Sequence, residues 1–172
     1  MMYKKSNIFF LVMLCSKLLF SKDTTLILLL NIESNDIQRY TFNNYSFNCS
    51  QYGIISIDEV YTETKNENCR RSIEEFYIKR PDLKYFAYKK LKVMQFYNTK
   101  FFKDGRCSIS VSGEKTLSEF LLEEGLAKIR KDFKDRELQS YFYKAQYKAK
   151  YYKKGIWDKN NLKECSGEIF SQ

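Results

Sequence analysis

Apolar and polar positions first alternate in a β-like manner along this chain. Thr24 to Ile32 is a β-branched, apolar run that predicts a first strand. Ile37 to Phe42 and Tyr45 to Cys49 follow, separated by Asn43-Asn44, a dipeptide that tolerates the left-handed conformation of a hairpin turn. Tyr52 to Ile57 is a further apolar stretch ending at Asp58, so this region predicts a three-stranded antiparallel meander with a bulge or bend near Gly53. Between Cys69 and Leu91 the spacing turns helical. Pro81 suits a first helical turn, which predicts a helix from about Pro81 to Lys90 and a shorter one before it. Lys92 to Phe102 and Gly105 to Ser112 again alternate as paired strands.

Thr116 and Glu119 form a capping box that opens an amphipathic helix, Leu117 to Glu124, stopped by Gly125. A last helix is predicted from about Asp135 to Lys153, with Leu138, Tyr141, Ala145, Ala149 and Tyr152 as its buried stripe and Gly155 as its stop. The order is three strands, helix, two strands, helix, helix. That order predicts an α+β, β-rich fold: a five-stranded OB-fold barrel with three packed helices.

Composition narrows the chemistry. The 172 residues include no His, which removes Ser-His-Asp hydrolysis, His-based ribonuclease chemistry and His-ligated zinc. Carboxylates, Arg, Lys, Tyr and Cys remain, with an oxygen-ligated metal as the available cofactor. Fourteen Tyr and fourteen Phe supply core, and rings able to stack on bases.

Lys4 and Lys5 precede the apolar run Ile8 to Leu14, and no acid occurs before Asp23. This is the layout of an export signal over residues 1–21, with an uncleaved anchor as the alternative. A domain over residues 22–160 and a tail over 161–172 would follow. Removing residues 1–21 takes away Lys4, Lys5 and Lys17, so the net charge falls from +9 to +6. A basic mature protein suits a polyanionic partner, although such a charge also serves solubility alone. Cys49, Cys69, Cys107 and Cys165 remain and allow two disulfides in three connectivities; Cys107, on an alternating strand, also reads as a core thiol.

Three pieces in the C-terminal half resemble the staphylococcal nuclease (thermonuclease) family. Lys103-Asp104-Gly105-Arg106 is similar to the family's Tyr-Gly-Arg hairpin corner, with Asp104 in place of Tyr. Glu124-Gly125-Leu126-Ala127-Lys128 resembles the end of its second helix, and Gly155-Ile156-Trp157 its Gly-Ile-Trp ending. The resemblance implies phosphodiester hydrolysis, with carboxylates holding Ca2+, a Glu activating water and two arginines binding phosphate. It places Arg106 on one of those arginines. It gives Asp58 as a metal ligand, with a strand-ending turn residue as the alternative reading. The second carboxylate is Asp36 or Glu33, although Asn35 stands near the key place. Glu63 is implied as general base, with Glu59 as competitor for that role or as a further metal ligand. Gly53 stands where the other arginine is expected, and Arg39 is a substitute. Lys103, Lys131 and Phe133 are implied as nucleic-acid contacts, with a core ring as the alternative reading of Phe133.

The functional expectation is an exported, secreted or periplasmic, monomeric endonuclease. It would need Ca2+ and no organic cofactor, and would act on single-stranded DNA or RNA. The alternatives are a degenerate module that binds nucleic acid or a protein partner without cleaving, and a structural envelope protein.

Overall fold

A computed structural model describes residues 24–113, 115–158 and 160–171. The export-signal segment, residues 1–21, lies outside the described residues. Among the described residues no helix is long and apolar enough to cross a membrane. Among the described residues the fold is α+β, with a mostly antiparallel sheet and seven α-helices.

The meander is present as β1 (Thr25–Ile32), β2 (Ile37–Phe42) and β3 (Tyr45–Ser50). Asn43 and Asn44 take φ of 48° and 68° at its hairpin, the conformation their short amide side chains tolerate. Alternation sets the faces: Ile27, Leu29 and Tyr40 are buried, while Leu26 and Phe42 face out. Strand β5 (Phe96–Phe101) pairs with β1, β6 (Cys107–Ser112) with β5, and β7 (Lys115–Thr116) with β6, in the order β3-β2-β1-β5-β6-β7. This sheet has six strands and is not a closed barrel. A parallel bridge between Gln51 and Cys107 nevertheless ties the end of β3 back to β6, beside the Cys49–Cys107 disulfide. Cys107 is thus half of a cross-link and not a core thiol.

The run expected as one strand from Tyr52 to Ile57 divides. Only Ile54–Ser56 forms a strand, β4, and it pairs with β8 (Ala127–Ile129), a short strand the sequence did not reveal. A helix, α1 (Ile57–Glu63), starts at once, because the Ser56 hydroxyl accepts from the Glu59 N–H at 2.8 Å and caps it. Next come α2 (Glu67–Lys79), α3 (Pro81–Lys84) and α4 (Phe86–Lys90). The expected lengths are reversed. Asn66 caps α2, and Arg80, kept out of helical geometry by the following Pro81, ends it after 13 residues.

The capping box at Thr116 and Glu119 opens α5 (Leu117–Glu123) as expected. Helix α6 (Arg136–Tyr151) begins at its cap, Asp135. Its buried stripe is Phe142, Ala145, Gln146 and Ala149, with Leu138 partly covered. Tyr141 and Tyr152 face outward, because Phe142 turns inward to stack on Phe133 at 4.9 Å between centroids. Beyond residue 160 the chain folds back onto α2. It carries the helix α7 (Ser166–Ser171) and is cross-linked by Cys69–Cys165.

Gly125 and Gly155 explain two of the sequence motifs together. Both have positive φ, and their backbones are pressed together, with Ile156 N–H donating to Gly125 C=O at 2.9 Å. A Cβ on Gly125 would stand 2.2 Å from the Lys154 carbonyl, and one on Gly155 2.1 Å from the Gly125 carbonyl. Only glycine fits on either side of this contact.

Candidate phosphate-binding site

Arg106 leaves the β5–β6 hairpin at a corner where Gly105 takes φ of +79°. The Asp104 carboxylate accepts from the Arg106 N–H at 3.1 Å and fastens the corner. The Arg106 guanidinium reaches Glu59 in the first turn of α1, with Nη2 3.4 Å from Oε1.

A second guanidinium arrives on the same oxygen. Arg130 follows β8, and its Nη2 also donates to Glu59 Oε1. Its Nε is buried and has no hydrogen-bond partner among the described residues. All three side chains are mostly covered, at 24% exposure for Arg106, 20% for Arg130 and 17% for Glu59. Lys128, next but one to Arg130, is held below the usual lysine range by burial and then by the charges of Lys131 and Arg130.

Gly53 shows why the second arginine comes from elsewhere. Its φ is +78°, and a Cβ there would stand 2.5 Å from the Phe133 ring. The place is closed to any larger residue. The Arg130 N–H donates to the Gly53 carbonyl at 3.0 Å, so the β4–β8 pairing sets Arg130 directly beside the vacated position. Arg39, the substitute expected from the sequence, is exposed on β2 and is not part of the fork. The one signal for Arg130 was Lys128-Ile129-Arg130-Lys131, a basic stretch just after Gly-Leu-Ala.

The acids do not gather around the fork. Asp58 stands next to Glu59 but both its oxygens are engaged, Oδ2 by the Asn35 N–H at 2.9 Å and Oδ1 by the Tyr77 hydroxyl at 2.6 Å. Burial raises its pKa, and those two hydrogen bonds oppose the rise. Tyr77 is pushed well above its usual value by burial and by the Asp58 charge. Asp36 is buried, accepts from the Ser34 hydroxyl at 2.8 Å, and has its pKa pushed up to about 6 by burial first and then by the Asp58 charge. Asn35 is a clamp: its amide donates to Leu83 C=O and accepts from Ala87 N–H, fixing the β1–β2 turn on α3 and α4. A carboxylate there could not donate to Leu83.

Glu63 ends α1, exposed, in a recess with Thr64, Lys65, Asn66 and Glu168, and that recess does not include Arg106, Arg130 or Glu59. Glu33 is exposed and accepts from the Asn48 amide at 2.9 Å. Lys103 and Lys131 are exposed near the two arginines in sequence, whereas Phe133 lies in the core with no open face for a base.

Calcium takes six to eight oxygen ligands. Here each Asp58 oxygen already accepts from a protein donor, Glu59 is held by two guanidinium groups, and Glu63 lies apart. Among the described residues no three His, Cys, Asp or Glu side chains group closely enough to hold a metal ion. The donor set as folded does not fit calcium. What the arrangement can do is bind an anion: two guanidinium groups converge on one oxygen, which stands in for a phosphate oxygen.

No curated protein matches the chain. A model of the staphylococcal nuclease homologues matches residues 62–159, more than half of the 172 residues. The match takes in Arg106, Arg130, Gly125 and Gly155, and begins after Asp36, Asp58 and Glu59. On that match, which covers the C-terminal motifs described above, the chain belongs to the staphylococcal nuclease homologue family.

Proposed function

We propose that this chain binds the phosphodiester backbone of single-stranded nucleic acid at the Arg106–Arg130 fork and acts as a binding module, not as a calcium-dependent nuclease. The observation that carries this is the convergence of both guanidinium groups on Glu59 Oε1. A phosphate oxygen displaces that carboxylate, recovers both contacts, and takes a further donor in the unpaired Nε of Arg130. The engagement of Asp58 by Tyr77 and Asn35 supports the absence of calcium chemistry from this reading. The basic net charge supports a polyanionic partner.

Two finer readings accompany it. The Gln51–Cys107 bridge supports an OB-type barrel whose five strands are β1, β2, β3, β5 and β6. The two disulfides support export to an oxidising compartment.

The test is binding and cleavage of single-stranded DNA and of RNA, each with calcium and with chelator. We expect salt-sensitive binding, unchanged by chelator, that falls about ten- to a hundredfold in Arg130→Ala, the range for a hydrogen bond to a charged group. Calcium-dependent cleavage that is lost in Arg106→Ala would establish the nuclease instead.

A further inference from the structure

The other side of the α1 first turn opens on a cavity of about 680 Å³, within the range of small-molecule sites. Tyr61, Tyr77, Tyr85 and Tyr88 line it, over an apolar floor that includes Ile73 and Pro81. Its acids are Glu33, Asp58 and Glu74, and Lys84 is its one cation among the described residues. The pocket is therefore aromatic and acidic in a protein that is basic as a whole.

Two of these rings already carry cations of the chain itself. The Lys84 ammonium lies 5.7 Å from the Tyr85 ring centroid, and the Arg70 guanidinium 5.8 Å from that of Tyr61. Both distances are within the reach at which a ring's negative face attracts positive charge. The hydroxyls of Tyr61, Tyr77 and Tyr88 are tied down, to Glu74 at 2.8 Å, Asp58 at 2.6 Å and Ile32 C=O at 2.7 Å. Three rings are thus fixed in orientation before any ligand arrives, which lowers the ordering cost of binding.

We propose that this pocket binds a small methylated ammonium cation. Aromatic faces and an apolar floor favour a weakly hydrated cation over a strongly hydrated one, and the surrounding carboxylates give it the complementary charge while excluding phosphate. Lys84 is the internal competitor, holding a ring face and opposing a second positive charge. The site is separate from the arginine fork and does not depend on its function.

The test is titration of the disulfide-intact protein with choline and with its neutral isostere 3,3-dimethylbutan-1-ol, read by calorimetry and tyrosine fluorescence. Choline is expected to bind at least about tenfold more tightly than the alcohol, the difference one desolvated cation–π contact supplies. Tyr85→Ala should weaken choline binding about tenfold; Tyr85 is 54% exposed, and unchanged near-ultraviolet circular dichroism confirms the fold. Lys84→Met should tighten it, an effect that mere damage to the pocket cannot produce. The proposal is overturned by no choline binding, by equal binding of the neutral alcohol, or by affinity that Tyr85→Ala and Lys84→Met leave unchanged.

Discussion

Asp58 and Glu59 are neighbours in one helical turn, yet they face opposite chemistries. Glu59 is directed at two arginines, and its carboxylate is neutralised by them. Asp58 lines a tyrosine-rich pocket, and its carboxylate is held by a hydroxyl and a backbone N–H, with Lys84 as the nearby positive charge. Successive helical positions point about 100° apart, so a single turn separates the arginine fork from the tyrosine pocket. Two adjacent acids at the start of a helix therefore do not constitute a metal site. What surrounds each one decides its role.

Asp36 stands within the electrostatic reach of both, and it gives the largest expected effect. Its pKa is about 6 in the folded protein against 3.8 for the ordinary carboxyl. Between those values the folded state holds more protons than the unfolded one, so stability falls as pH rises from about 4 to 6. Above pH 6 the charged form is fully penalised. Asp36→Asn removes that penalty and keeps an oxygen for the Ser34 hydroxyl. It should stabilise the protein by about 2–3 kcal/mol at pH 7 and by nearly nothing at pH 4. Thermal melts of the two proteins at both pH values measure the difference. An equal change at both would show that burial and the nearby charges do not hold Asp36 above the ordinary carboxyl range.

Tyr77→Phe acts on the Asp58 side alone. It removes the donor to Oδ1 and leaves a half-buried carboxylate short of one hydrogen bond, at a cost of about 1–3 kcal/mol. The loss should shrink in acid, where Asp58 is protonated. Denaturant melts follow the stability, and nucleic-acid affinity measured alongside should stay where it was. A parallel fall in that affinity would mean that the two faces of the turn are coupled through α1.

The C-terminal half was legible because its signals are local. The capping box, Gly125 and Gly155 each act on backbone within a few residues, and Arg106 is placed by the glycine beside it. The start of α1 was hidden because Ser56 sits inside an isoleucine-rich run that reads as strand until its hydroxyl is seen to cap. Arg130 was hidden for a different reason. Its position depends on β4 pairing with β8, a long-range contact, and its necessity depends on Phe133 filling the space a side chain at residue 53 would need. Likewise, four cysteines gave three connectivities, and only the bridge from β3 to β6 selects Cys49 with Cys107.

Glu59→Gln sharpens the contrast between the two acids most directly. If Glu59 were a metal ligand or a general base, the change would weaken function. If it is the internal occupant of an arginine fork, the change should strengthen binding, because a neutral amide competes with phosphate less well than a carboxylate does. The expected gain is about tenfold in affinity for single-stranded DNA, the worth of one charge-assisted contact no longer lost on binding. The gain is the smallest of these effects because the amide oxygen still accepts from one guanidinium. Asp58→Asn, one residue away, should leave affinity unchanged. Fluorescence anisotropy on both variants at fixed salt reads the two outcomes together, and a loss of affinity in Glu59→Gln would return Glu59 to the machinery of a reaction.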